Sequence, residues 1–525
     1  MMFLSRRKRR TRKRRHGLSV RSFEAGKVDR LLAGWAYDGG FTPSEVSSQL
    51  EIIRARSRQM AKDSPHLKRW LELSSINIVG EGFALKCMPH DGVPGMRNYR
   101  LDESAAAFIE YHWRRFCTHR DPATGLTWCD ATGRKTDAEI DRLNAKTWKR
   151  DGEYFIHVMR TSANPYGIAW RVLRPDWCDE TYNVSSLRNG NVVHCGVEMV
   201  ESTRRPVAYY FRTTPRNAYA YNGRGQPLVR IPASEIIHGF TQEDEDQPRG
   251  IPHCHAFLRK LKMVDELDVA ELTAARDEAC SVRSYYAPLG SEDEISDITD
   301  DENSDVAQAL MAEKEAGQSE ILPLGWKTDV HTPQHPNKNH DEFKRGMLRD
   351  IASGGNVEYS NYTNDWSGVS FSSVRVGTIS ERDAWICQQN DYISQCKSPQ
   401  FLMWLQSFLS LAVSGEFPAS KFEKFSQHAF RGRRWMWVDP MKDVAAAVIA
   451  VDHGWKTNTQ IASDMGTDFN ENVDELVRET ATSKGTLLEK TPENKPADRA
   501  AVILSAVAQA QEKEQDNEKE SENTI

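Results

Sequence analysis

Clusters able to ligate a metal, move a proton or cradle a phosphate are the first places to look for chemistry in these 525 residues. His253, Cys254 and His255 put three potential ligands in a row. No second ligand pair accompanies them, so a structural role is expected rather than a zinc site. The run His335–Asp341 (HPNKNHD) offers two histidines and an acid in a loop, without the one-face i,i+4 spacing of a zinc protease. Ser291–Asp305 (SEDEISDITDDENSD) holds eight acids in fifteen positions. It lacks the central glycine and the ordered ligand positions of a calcium loop, which leaves a solvated acidic face. Gly80-Glu81-Gly82 starts like a dinucleotide fingerprint and then has Leu85 where the third glycine belongs. Neither a GxxxxGK[ST] phosphate loop nor a GxSxG nucleophile turn occurs. No catalytic residue, metal or cofactor is assigned.

Length and charge say more. Single cores stop growing near about 250–300 residues, so more than one core is expected. Hydrophobic residues make up 39% and charged residues 27%, as in soluble globular chains. No run approaches the roughly 18 apolar residues of a membrane span. The start, MMFLSRRKRR, carries its charge after a short apolar stub with no h-region following, unlike a secretory signal. Nine cysteines without a CxxC suggest reduced thiols, most of them buried. The net charge is −6, yet Arg6, Arg7, Lys8, Arg9, Arg10, Arg12, Lys13, Arg14 and Arg15 stand within ten positions. Setting those nine aside leaves −15 for the rest. The chain reads as an acidic body with a basic arm too self-repelling to pack, able to grip phosphates or an acidic partner, or simply a solvated tail.

The elements around these clusters follow from periodicity. Residues 27–60 read helical, with Thr42–Val46 (TPSEV) as a start signal, and 102–119 form an amphipathic helix. Between 153 and 240 come short β-rich runs such as YFIHVMR and NVVHCGVEMV. From Phe257 to Cys280 the helical period returns, with Phe257, Leu261, Val264, Leu267, Leu272 and Ala275 in one stripe spanning about 36 Å. A second helix is expected near 340–353, then the Gly/Ser-rich stretch Asn364–Gly377 (NDWSGVSFSSVRVG), then a third helix from Thr378 that Pro399 should kink or end. Most of the fourteen tryptophans are expected in cores or subunit contacts, and the last fifteen residues, net −4, are expected to be disordered.

Five segments then resemble one family, the portal (head–tail connector) proteins of lambda-type tailed phages, over about residues 25–490. NIVGEGF (Asn77–Phe83), GVEMVESTRRPVAYYF (Gly196–Phe211) and RIPASEIIHGF with QPRGIPHCHAFL are similar to its early segments. DEFKRGMLRDIASGGNVEYSNYTNDWSGVSFSSVR resembles its most distinctive region, and WVDPMKDVAA (Trp437–Ala446) an element near its end. Phe371 stands where the family usually has Tyr, and a Pro common after the preceding helix is missing.

The resemblance implies an α+β portal fold: a mixed α/β wing, a long helical stem, a small clip and a helical crown, in a ring-shaped homo-oligomer. It implies a wing at 25–255, a stem helix at 256–284 and a clip at 285–335. A return stem helix follows at 336–355, a tunnel loop at 356–372, a long helix and wing return at 373–439, and a crown at 440–490. The arm 1–24 and the acidic tail 491–525 lie outside it. In the tunnel loop, Asn364, Trp366, Ser367, Gly368, Ser370 and Arg375 would face the DNA, Arg375 as the only nearby cation. Leu261, Val264 and Leu267 would pack the stem, while Lys260, Glu266 and Glu271 pair with a neighbouring subunit. Glu292, Asp293, Asp300, Asp301 and Glu302 would offer partners an acidic clip surface. The implied partners are about eleven further copies, double-stranded DNA bound without sequence specificity, the terminase large subunit, major capsid and scaffold proteins, and a head-completion adaptor. No membrane is involved. The implied place is the portal vertex of the virion, and the host cytoplasm during assembly. Two other readings stay open: a metal-dependent nuclease built on His335–Asp341, and a nucleic-acid-binding protein acting through the basic arm.

Overall fold

The computed structural model describes residues 43–92, 99–213, 227–279, 283–286, 327–330, 340–411, 415, 417–435 and 440–483. Helices α1 (Pro43–Asp63) and α2 (Pro65–Ile78) both open on proline, whose missing N–H is harmless in a first turn. α1 starts at the TPSEV signal; the helical stretch expected from residue 27 to 42 lies outside the described residues. Strand β1 (Ala84–Cys87) leads to α3 (Glu103–Thr118), capped by the Asp102 carboxylate accepting from the Ala105 N–H at 3.1 Å. Next, α4 (Asp137–Asp151) opens on a Thr136/Glu139 capping box.

The β-rich region forms two antiparallel sheets. Strands β2 (Glu153–Arg160), β3 (Ile168–Leu173), β4 (Asn191–His194), β5 (Val197–Val200), β6 (Pro206–Arg212), β7 (Leu228–Pro232) and β8 (Ile236–Phe240) follow in chain order. β2 lies between β8 and β3, and β4-β5-β6-β7 is a meander. A small core of Phe155, Val197, Tyr209, Phe211 and Ile236 joins the two sheets.

The long helix α5 (His255–Ala279) leaves this body. Beyond it, β9 (Arg283–Tyr286) pairs antiparallel with β10 (Lys327–Val330), and α6 (His340–Gly354) returns along α5. The short α7 (Tyr359–Thr363), α8 (Phe371–Tyr392) and α9 (Ser398–Leu409) follow. Strand β11 (His428–Arg431) pairs with β1, and α10 (Pro440–Asp452), α11 (Asn458–Asp464) and α12 (Phe469–Ser483) complete the described chain.

One expectation is corrected here and another is narrowed. The third helix begins at Phe371, seven residues before Thr378, because Ser370 accepts from the Ser373 N–H and caps it. Of the two outcomes expected at Pro399, a kink or an end, the end does not occur. The helix's hydrogen bonding widens instead to a π segment, Ile393–Lys397, with the Ser398 N–H reaching Ile393, and α9 carries on from there. The wider turn sets Lys397 wholly inside, bonded to Asp137 and 3.0 Å from Asp141. Those two carboxylates outweigh burial and hold Lys397 charged.

The main core collects Leu67 and Trp70 of α2, Trp113 and Phe116 of α3, Trp148 of α4, Trp170 of β3, Phe257 and Leu261 of α5, and Trp385 and Trp404 of α8 and α9. Each such side chain contributes roughly 1.5–3 kcal/mol by burial. Beside this core sits a sealed ionic centre. Glu153 is fully buried and meets Arg249 at 2.5 Å, Arg54 at 2.6 Å and His238 at 3.0 Å. Burial pushes its carboxyl up, but the two guanidiniums outweigh burial and hold it well below the carboxylate range. The chain reaches Glu153 through Gly152 and Gly250: a Cβ on Gly250 would stand 2.1 Å from the Gly152 carbonyl oxygen. Only glycine allows that approach.

Candidate functional site

Two antiparallel helices and the turn at their base form the candidate site. Phe257, Leu258, Leu261 and Val264 of α5 are buried, as are Leu348, Ile351 and Ala352 of α6. Gly354 lies against Phe257, where a Cβ would stand 3.3 Å from the Phe257 Cβ. The apolar stripe outlasts its cover. Leu267 is half-buried, while Val269 is 64% and Leu272 71% exposed. Among the described residues, the first half of the expected stripe is buried and the second half is at most half-buried.

Partners within the chain meet two of the stem charges. Lys260 bonds Asp350 of α6 at 2.9 Å, Lys344 bonds Asp268 at 2.7 Å, and Glu266 lies 3.4 Å from Lys262 on its own helix. Lys260 and Glu266 thus have partners inside the chain; Glu271 is half-buried. His340 and Asp341 are not a loop pair either: they open α6, facing Asp268 at 3.7 Å and Arg345 at 3.1 Å. His335 lies outside the described residues. His253, Cys254 and His255 bond Thr241, Ser57 and the Pro252 carbonyl, which makes them structural. Among the described residues no group of His, Cys, Asp or Glu is placed to hold a metal ion.

At the base of the stem, the expected loop at 356–372 is largely built. Trp70 of α2 donates from Nε1 to the Gly355 carbonyl at 3.0 Å, and its ring fills the space a Cβ on Gly355 would need. α7 follows, with Tyr362 buried against His66, and ends at Asn364 in a left-handed conformation that asparagine tolerates. The Asn364 side-chain oxygen accepts from Arg69 at 3.1 Å. Asp365 accepts from the Ser367 N–H and hydroxyl and from Tyr359, bonds that hold its carboxyl below the usual range, and Arg345 stands 3.5 Å away. Residues 356–358 and 364–370 remain irregular. Within them Trp366 is half exposed, and Gly368, at φ +69°, has open space around it. Arg375 lies within α8 and bonds Asp443 of α10 at 2.9 Å. It is not the only cation by the loop, since Arg69 and Arg345 reach it first.

The family model for phage portal proteins of the lambda family matches residues 28–389, which span the sheets, the stem and this loop. The chain belongs to the lambda family of phage portal proteins. A probable portal protein of Halomonas phage phiHAP-1 is 29% identical over 453 residues, covering 85% of this chain and 83% of that protein. Portal protein B of Escherichia phage lambda is 22% identical over 495 residues, covering 85% and 89%. Among solved structures, the neck of an empty gene transfer agent particle is similar at 12% identity, covering 83% of this chain and 97% of that one, with a TM-score of 0.42.

A portal protein is a structural component of the virion, the channel at one capsid vertex through which DNA enters and leaves, and the platform on which the neck is built. No helix among the described residues of this portal protein is long and apolar enough to cross a membrane. The basic residues Arg6 to Arg15 and the acidic residues Glu292, Asp293, Asp300, Asp301 and Glu302 lie outside the described residues. Arg69, Arg345 and Asp443, which position the loop, carried no sequence signal: each acts on a partner at least twenty residues away.

Proposed function

We propose that about twelve copies of this chain close into a ring whose stems line a passage for double-stranded DNA. The family match across wing, stem and loop carries this reading. The exposed Leu272 supports it, because an apolar stripe running past its own cover suits burial against an adjacent stem. The chain acts in assembly and conduction, without catalysis. Negative-stain images of the purified full chain, viewed down the particle axis, should show closed rings; a population of monomers alone would overturn the reading.

Domain roles follow on the same reading. Residues 25–255 are the wing, α5 and α6 the stem, 285–335 the clip and 440–490 the crown. The clip faces the terminase large subunit and later the adaptor, with the acidic run speeding association more than tightening it. The wing meets capsid and scaffold proteins. The tunnel loop is the short irregular stretch 364–370, with Trp366 and Ser367 beside the DNA. Asn364 and Ser370 terminate helices, and Arg375 ties α8 to the crown. Trp366→Ala should leave rings intact and lower the yield of fully packaged particles; normal packaging would make this stretch a passive turn.

A further inference from the structure

A cavity of about 980 Å³ lies where the Gly80–Phe83 turn, α3, the start of α4 and the 431–434 segment meet. Five arginines line it: Arg114, Arg142, Arg431, Arg433 and Arg434. Arg431 bonds Asp468 at 3.0 Å and Arg114 faces Glu471 at 3.9 Å. The other three bond uncharged groups. Arg142 donates to the Gly80 carbonyl at 2.9 Å, Arg433 to the Ile76 carbonyl at 2.8 Å, and Arg434 to the Gln389 side chain at 3.2 Å. Three acids share the lining, but Asp137 is bonded to Lys397 and Glu110 accepts from the Cys87 N–H at 2.7 Å. Glu81 and Glu110, whose partner is neutral, are left to oppose them. Guanidiniums that bond only neutral acceptors keep their full charge for an anion that arrives from outside.

The same chain presents a matching anion. Glu243, Asp244, Glu245 and Asp246 are all exposed, and the first three meet no cation among the described residues. They do not hang loose: the buried Gln247 accepts from the Glu243 N–H at 2.8 Å and donates to the Arg249 carbonyl at 2.8 Å, fixing the loop to the ionic centre. The loop cannot reach its own cavity. It is tied near the C-terminal end of α4, where the His253 N–H bonds the Lys149 carbonyl, whereas Asp137, Ala138 and Arg142 of the cavity stand at the N-terminal end. A fifteen-residue helix separates the two by about 20 Å.

Complementary charges at opposite ends of one body are what a head-to-tail ring contact requires, since each copy presents one surface to the copy before it and the other to the copy after. We propose that the acidic loop Glu243–Asp246 of one copy seats at the arginine cavity of the next. This rests on the ring reading above and adds the wing contact that sets the register.

Two charge-reversed chains test it: Glu243→Lys/Asp244→Lys/Glu245→Lys, and Arg114→Glu/Arg434→Glu. Ring assembly of the full chain is followed by sedimentation at low and high salt, alongside binding of a fluorescent DNA duplex. Each variant alone should assemble at least about tenfold more slowly at low salt than the wild type, and a chain carrying both sets should recover. Wild-type rate and salt dependence in both variants would overturn the contact, as would failure of the combined chain to recover. Rings unchanged with duplex binding lost in the arginine variant would assign the cavity to DNA phosphates instead. A wild type that never forms rings would refute the ring reading, and this contact with it.

Discussion

The ionic centre of the wing and the helical pair of the stem treat charge in opposite ways. Around Glu153 the charges are inside, and every one has its counter-charge or a carbonyl within 3.3 Å. Along α5 and α6 the pairs are outside: Lys260 and Asp350 are each at least half exposed. The apolar surface divides the same way. The wing gathers most of its aromatic side chains into one core, while the second half of α5 leaves Val269 and Leu272 in solvent. On the ring reading, the stem is finished only by company.

Breaking the wing centre should have the largest effect. Glu153→Gln leaves Arg54 and Arg249 buried with no counter-charge, a loss of about 3–5 kcal/mol. Soluble yield and the thermal midpoint of the chain should both fall sharply; a midpoint within a few degrees of wild type would mean the centre is wetter than it looks. Next comes the boundary between the two regions. Leu261→Asp buries an unpaired charge in the shared core and should destabilise every form of the protein by several kcal/mol. Leu272→Asp, on the same helix, should leave the monomer within about 0.5 kcal/mol of wild type and yet prevent rings. Equal effects of the two in denaturant unfolding would erase the distinction between wing and stem.

Acid should act on the wing before the stem. Burial holds His238 and His253 below the ordinary histidine value near 6.5. A histidine lowered in the folded state is neutral there while its unfolded counterpart takes a proton, so stability is full above pH ~6.5 and drains away as pH falls beneath it. The thermal midpoint should therefore drop between pH 7.5 and 5.5, and a His238→Gln chain should show a shallower drop. The smallest effect belongs to the stem pairs. Lys344→Ala removes a partly exposed pair with Asp268 and should change stability by at most about 1 kcal/mol.

The sequence made some elements plain and hid others, for a physical reason. α5 was legible because its buried positions are Phe, Leu and Val at helical spacing over its first half. The strands from 153 to 240 were legible because β-branched and aromatic runs alternate with turn residues. α4 was missed. It buries Asp137, Asp141, Asn144, Lys149 and Asp151 beside Ile140, Ala145 and Trp148, so polar letters interrupt the apolar period on its inner face. The three carboxylates are tolerated inside because cations far away in sequence meet each of them directly, Lys397 at Asp137 and Asp141 and Arg58 at Asp151. The loop was legible only in part: Ser370 is a serine cap that bonds three residues on, which the pattern offers locally, whereas the Arg69 that reaches Asn364 from α2 leaves no local mark.

The Glu153 centre also sets a timetable. It draws Arg54, Glu153, His238 and Arg249 to one point, so its outermost members are 195 positions apart along the chain. Closing loops of that length is slow, and it gives no reward until the last member arrives. While the ribosome is still short of Arg249, the unfinished wing holds Arg54 and Glu153 at a site that wants both arginines. Emergence of the QPRGIP segment completes the charge balance just before α5 begins. The four-member centre can close as α5 starts to appear, whereas the main core waits for Trp385, Lys397 and Trp404, which are synthesised after the stem.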